Sequence, residues 1–155
     1  MNKLAERFGD KVAICGFFCN QFGHQTNDGN AEVLNTLKYV RPGDGFEPAP
    51  SITLFEKTNV NGKDASPLFK WLKSSIPIPC DVGDSKGNGV DDRDVLITAR
   101  ESYDGTTVAL WSPVCRSDIA WNYEKFLIGP DGQPSKRYGR FHAYEPIGDD
   151  IAALL

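Results

Sequence analysis

Between Val12 and Cys19 the chain reads Val-Ala-Ile-Cys-Gly-Phe-Phe-Cys, without one charged side chain. No other feature constrains the fold as much. The run is far shorter than the ~20 residues of a membrane span, and its continuous apolar character predicts a buried strand over Lys11–Cys19. A buried strand needs covering elements, and the flanking sequence supplies them. Leu4 and Phe8, four apart before Gly9, indicate the end of a helix over Asn2–Phe8. A polar loop follows from Asn20 to Asn30, and Asn30 is placed to cap a helix over Ala31–Val40. Val33, Leu34, Leu37 and Val40 form its apolar stripe, and Pro42-Gly43-Asp44-Gly45 closes it. Ile52, Leu54 and Phe55 predict a second strand, and Pro67–Leu72 a short helix with Leu68, Phe69, Trp71 and Leu72 mostly turned inward. Ser74 to Tyr103 is rich in Pro, Gly and Asp and reads as a long loop. Tyr123–Ile128 and Arg137–Phe141 flank Gly129-Pro130-Asp131-Gly132 as a hairpin, and Asp149 opens a last helix through Leu155. Strands alternating with helices, then a hairpin, indicate a single α/β domain over 1–155 with a mixed sheet.

Seventeen basic against twenty-one acidic residues leave a net charge of −4. Nucleic acid is therefore not an expected partner, because phosphate-backbone affinity comes from clustered Lys and Arg. No membrane partner is expected either, and the residues after Met1 are too charged for a signal-peptide core. The four cysteines lack a C-x-x-C pair, and the chain has two histidines, His24 and His142. That is poor material for zinc, and no metal is expected. Cys15 and Cys19 on one strand would stand about 13 Å apart, too far for a disulfide. Reduced, mostly buried thiols and a cytoplasmic location are expected.

Phe18-Cys19-Asn20-Gln21-Phe22-Gly23-His24-Gln25 crowds amides at the carboxyl end of the buried strand, where α/β proteins place their sites. The string resembles the glutathione peroxidase family. So do Lys38-Tyr39-Val40-Arg41-Pro42-Gly43, Leu54-Phe55-Glu56-Lys57 with Val60-Asn61-Gly62, Trp111-Ser112-Pro113-Val114-Cys115-Arg116, and Trp121-Asn122-Tyr123-Glu124-Lys125-Phe126-Leu127-Ile128-Gly129-Pro130-Asp131-Gly132. These strings follow family order across the chain, with only the stretch around Cys80–Tyr103 poorly matched.

The resemblance implies a thioredoxin-like fold, a mixed central sheet flanked by helices. It also implies reduction of hydrogen peroxide and organic hydroperoxides by glutathione as co-substrate, in response to oxidative stress. The family's nucleophile is a selenocysteine or a cysteine. It lies on a loop before the helix that ends here at Phe8, so the chain is expected to lack the N-terminal hairpin and the nucleophile-bearing strand and loop. Selenocysteine is encoded by a codon normally read as stop, and a reading of the gene that takes it as stop restarts at Met1. The native protein is therefore expected to be a longer selenoprotein, and a chain starting at Met1 to be inactive by itself.

In the family a Gln, a Trp and an Asn surround the reacting atom, and the matching positions are Gln25, Trp121 and Asn122. Neutral N–H donors stabilise a chalcogenolate without pairing it with a fixed cation. Taken alone, Trp121 would read as a core aromatic, Asn122 as a turn residue and Gln25 as a solvated amide. Gln21 and Asn20 read as loop-shaping residues, and Cys19 and Cys115 as packed thiols. Phe18 stands where the family usually has proline. Thr58 stands where some relatives carry Cys, which favours free glutathione over an internal disulfide. Arg41 and Arg140 match arginines that meet glutathione's carboxylates, although relatives often have a double arginine near Arg140. The segments Pro42–Pro50 and Ser74–Ser117 resemble the tetrameric cytosolic type, so a homotetramer is implied. The alternative is a noncatalytic thioredoxin-fold interaction module or an inactive fragment, with the chain a genuine short isoform or nonfunctional paralogue.

Overall fold

The computed structural model describes residues 1–81, 100–103 and 106–155. They form two compact units, Met1–Asn20 with Gln25–Thr58, and Gln21–His24 with Asn59–Leu155.

In the first unit, helix α1 spans Asn2–Phe8 and ends at Gly9. Gly9 has φ 53°, a left-handed conformation that costs glycine little, and its N–H donates to the Ala5 carbonyl. Strand β1 covers Ile14–Phe17, helix α2 Val33–Tyr39 and strand β2 Ile52–Phe55. β1 and β2 pair in parallel, Ile14 opposite Ile52 and Phe17 opposite Phe55. A parallel pair needs a crossover, and α2 lies within it. Phe17 and Phe55 stack with ring centroids 4.6 Å apart.

The strand expected over Lys11–Cys19 is thus corrected to four residues. Gly9–Lys11 is a short 3-10 turn, and β2 offers only four partners for pairing. Alternation leaves Cys15 and its partner Thr53 exposed. The second helix begins at Val33 rather than Ala31, because the Asn30 carboxamide oxygen accepts from Lys57 N (2.9 Å) instead of capping. Val33 is buried, but Leu34 and Val40 of the expected stripe are exposed.

In the second unit, helix α3 runs Pro67–Ser75. Ser66 caps it by accepting from Phe69 N, and Pro67 occupies the first turn, where a missing N–H costs nothing. Phe69, Leu72 and Lys73 share the buried face. Leu68 and Trp71, a hundred degrees off it, are exposed rather than turned inward. Of the expected loop Ser74–Tyr103, residues 82–99 lie outside the described part, and Arg100–Tyr103 is strand β3, paired antiparallel with β4 (Thr106–Ala109). The predicted hairpin forms, with β5 at Lys125–Ile128, but its second strand is corrected from Arg137–Phe141 to β6, Pro134–Tyr138, because the register pairs Ile128 with Pro134 directly after the turn. Its turn is closed by Gly129 N donating to the Gln133 carbonyl (2.8 Å). Helix α4 spans Tyr144–Ala152. Asp149 therefore lies inside the last helix and does not cap it, because the buried Ile147–Ile151 pair extends the helical face back toward Tyr144.

Among the described residues the strands pair in three two-stranded sheets, one parallel and two antiparallel, rather than in one mixed central sheet. The four cysteines are free thiols, as expected. Their burial is corrected: Cys19 is buried, but Cys15, Cys80 and Cys115 are exposed.

Candidate active site

The second unit is organised around a buried polar scaffold. Gln21 follows Asn20 in the amide string and is buried. Its Oε1 accepts from Val60 N (2.9 Å) and Asn61 N (3.0 Å), and its Nε2 donates to the Asn61 carbonyl (3.1 Å). Asn61 Nδ2 in turn donates to the Ile119 carbonyl (2.8 Å), and its Oδ1 accepts from Ile119 N (2.9 Å) and Lys73 Nζ (3.0 Å). Lys73 completes an ion pair with Asp118 at 2.7 Å, and the Asp118 side chain is 2% exposed. Asp118 Oδ2 accepts from Trp111 Nε1 and Cys115 N, both at 2.8 Å. Buried polar groups persist only where paired, and here the pairing ties Gln21, Asn61 and α3 to the segment leading into Trp121.

A second ion pair fixes the next turn. Glu124 and Arg137 meet at 2.8 Å with both side chains 1% exposed. Glu124 Oε1 accepts from Ala120 N (2.6 Å), closing residues 120–124 into a loop. Arg137 also donates to the carbonyls of Ile76 (3.3 Å), Pro77 (2.7 Å), Ser117 (2.9 Å) and Asp118 (3.0 Å). Burial holds the Glu124 carboxyl above the ordinary carboxylate range, although Arg137 pulls it down. Between these anchors Tyr123 adopts φ 69°, a strained value for a side-chain-bearing residue that the surrounding bonds sustain.

Trp121 and Asn122 are carried by this clamped loop and are half-buried. The Trp121 ring lies 5.8 Å from Phe22, tilted at 42°, and the Arg140 guanidinium stands 5.8 Å from its centroid. Arg140 also covers the Phe141 ring at 4.5 Å. The Arg140 loop is held from within: Lys125 Nζ donates to the carbonyls of Gly139 (3.0 Å), Arg140 (3.3 Å) and His142 (3.0 Å). Burial lowers the Lys125 pKa from its usual value. Thus Trp121, Asn122 and Arg140, chosen from sequence, share one neighbourhood.

Gln25 and Arg41 belong to the first unit, where both are exposed. The loop carrying Gln25 is shaped by Asn20, as expected: its Oδ1 accepts from Thr26 N and its Nδ2 donates to Asn27 Oδ1, both at 2.8 Å. Lys57 Nζ donates to the carbonyls of Thr26 and Asp28 from the other side. Arg41 precedes a cis peptide bond to Pro42.

Sequence reasoning missed two groups. Arg137 and Glu124 appear in the motif strings with nothing to set them apart from surface charge. Cys80, Asp81 and His142 are distant in sequence, yet their ligand-type atoms lie within 4.8 Å of one another. Burial and the Asp81 carboxylate push the Cys80 thiol up from its usual pKa.

A family model described as glutathione peroxidase matches residues 1–73. Glutathione peroxidase 1 of Rattus norvegicus is 49% identical over the whole chain, which spans 69% of that relative's length. Glutathione peroxidase 1 of Macaca fuscata fuscata is 50% identical with the same coverage. Among solved structures, the crystal structure of Trgpx in apo form aligns with 98% of this chain and 63% of its own, at TM-score 0.53 and 26% identity. The fold of the present chain is thus the thioredoxin-like fold of these proteins.

Proposed function

The chain belongs to the glutathione peroxidase family, and from that premise we propose that it is part of an oxidoreductase that reduces hydrogen peroxide and organic hydroperoxides with glutathione. The balanced reaction takes one hydroperoxide and two glutathione thiols to one alcohol or water, one further water and glutathione disulfide. In this reading a selenocysteine or cysteine supplies the reacting chalcogen. Around it Gln25, Trp121 and Asn122 act as neutral donors. They stabilise the chalcogenolate and the developing negative charge on the leaving oxygen, where oriented N–H groups in a partly desolvated site are most effective. Arg41 and Arg140 receive the carboxylates of glutathione. The working assembly is a homotetramer in a reducing, cytoplasmic compartment, a location in keeping with four free thiols. No helix among the described residues is long and apolar enough to cross a membrane.

The observation that carries this reading is the clamped loop Ala120–Glu124, which holds Trp121 and Asn122 between two buried ion pairs. Preorganisation of that kind is what donors to a transient anion require, whereas a merely packed Trp does not need a fixed loop. Among the described residues, no acceptor bonds Trp121 Nε1, whereas the Trp111 indole is committed to Asp118.

The test is a glutathione-coupled peroxidase assay on the protein purified from its native source, with intact mass, selenium content and light scattering. Turnover from a selenium-bearing tetramer heavier than 17.1 kDa per chain supports the reading. Trp121→Phe is expected to lower kcat/KM for peroxide by about a hundredfold, and Arg140→Ala to raise the glutathione requirement with the peroxide step intact. An inactive native protein of the mass of this sequence would instead establish the noncatalytic module.

A further inference from the structure

We propose that Cys80, Asp81 and His142 form a binding site for a divalent cation of the zinc class, separate from the peroxide-reducing groups. The three side chains offer one thiol sulfur, one carboxylate oxygen and one imidazole nitrogen, all within 4.8 Å. Such a mixed set suits borderline-soft zinc rather than magnesium or calcium, which prefer oxygen alone. Three protein ligands leave a fourth tetrahedral position for water.

The geometry is close to what an ion needs. Bonds of about 2.0–2.3 Å place the ligands of a tetrahedral ion about 3.3–3.8 Å apart. His142 Nδ1 and Asp81 Oδ2 are 3.4 Å apart. That is long for a charge-assisted hydrogen bond, usually about 2.7–2.9 Å, and is the spacing of two ligands sharing an ion. The thiol closes the set by rotation of the exposed Cys80 side chain.

The backbone and neighbours already hold these groups in place. Asp81 Oδ1 accepts from Gly139 N at 2.7 Å, which leaves Oδ2 directed at the imidazole. Cys80 N donates to the Arg137 carbonyl at 2.8 Å. The His142 ring packs 4.8 Å from that of Tyr138, and its carbonyl accepts from Lys125 Nζ. Support of this kind fixes ligand orientation before an ion arrives. A bound cation would join the segment after α3 to the loop bearing Arg140.

The full native protein, reduced and freed of metal by chelation, is titrated with Co2+ and then Zn2+. The expected result is one ion per chain, a thiolate-to-cobalt charge-transfer band, displacement of cobalt by zinc, and a raised melting midpoint with zinc. Cys80→Ser and His142→Gln should each weaken binding more than about tenfold and remove the zinc-dependent rise in melting midpoint. Both replace partly exposed side chains, and parent-like melting without metal checks that they fold. Cys15→Ser and Cys115→Ser, at exposed thiols elsewhere, should leave binding unchanged. Absence of the charge-transfer band, indifference to Cys80→Ser and His142→Gln, or loss through Cys15→Ser or Cys115→Ser overturns the proposal.

Discussion

Replacing Arg137 by Met should destabilise the protein by an amount that depends on pH in a defined direction. In the native structure the guanidinium neutralises Glu124 at 2.8 Å, with both side chains 1% exposed, and bonds four carbonyl oxygens. Methionine fills much of the same volume but leaves a carboxylate buried without its cation. Breaking one partner of a buried pair costs about 3–5 kcal/mol, a large share of the ~5–15 kcal/mol that separates folded from unfolded chains. The carboxylate has one way out, which is to take up a proton. Glu124 is already held above its usual 4.5 by burial, against the pull of Arg137. Without Arg137 the pull is gone and the shift grows. The folded variant then binds a proton that the unfolded chain releases above about 4.5. Stability must fall as pH rises through that window and recover as pH drops, by up to about 1.4 kcal/mol per pH unit. Urea melts of the native protein and of Arg137→Met between pH 7 and 5 read this directly. The variant should show the steeper slope, and the double change Glu124→Gln with Arg137→Met should flatten it and regain part of the loss. A pH-independent penalty that Glu124→Gln does not relieve would refute the reasoning.

Three further outcomes rest on other parts of the structure. Lys73→Met should cost about 3–5 kcal/mol in denaturant melts, because Asp118, 2% exposed, loses its cation at 2.7 Å; adding Asp118→Asn should recover part of it. Gly16→Ala should cost less than about 1 kcal/mol, since the 2.8 Å approach of its Cβ is to Leu54 Cδ2, the far end of a flexible side chain; thermal melting close to the parent would show it. Asp150 is held below its usual 3.8 by Lys136 and Tyr138, so its contribution is present above that value and is lost as pH falls through the lowered folded value; Asp150→Asn should flatten this acid limb of the stability curve.

Local periodicity read the elements well wherever one short-range signal dominated. Gly9 ends α1 and Ser66 begins α3 through bonds made within a turn of the chain. Signals with a distant competitor misled. Asn30 looks like a cap, but Lys57 N claims its oxygen, so α2 starts at Val33. Asp149 looks like a cap, but the Ile147–Ile151 face is already helical. The apolar run at Val12–Cys19 predicts a long strand, yet pairing stops where β2 stops. Lys57 is 27 residues from Asn30, and β2 is as remote from β1, so no short window holds that information; Asp149 is the exception, since Ile147 and Ile151 stand within two residues of it.

The proposed site shows the same limit more sharply, because identical residue types take opposite roles. Arg137 and Arg140 stand three apart near the end of one hairpin. Arg137 is locked by a carboxylate and four carbonyls, whereas the Arg140 guanidinium stands 5.8 Å from the Trp121 ring and 4.5 Å from the Phe141 ring. Trp111 and Trp121 divide likewise: the first donates to Asp118 inside the core, and the second is half-buried on a clamped loop. Composition and spacing cannot separate these pairs; only the position of Glu124 and Asp118 can. Mutation should therefore split them by observable. Changes at Arg137 and Trp111 should appear first in stability, and changes at Arg140 and Trp121 first in turnover, with melting close to the parent. If Arg140→Ala unfolded the protein as readily as Arg137→Met, the guanidinium beside Trp121 would be a scaffold member, and the glutathione carboxylates would need another partner.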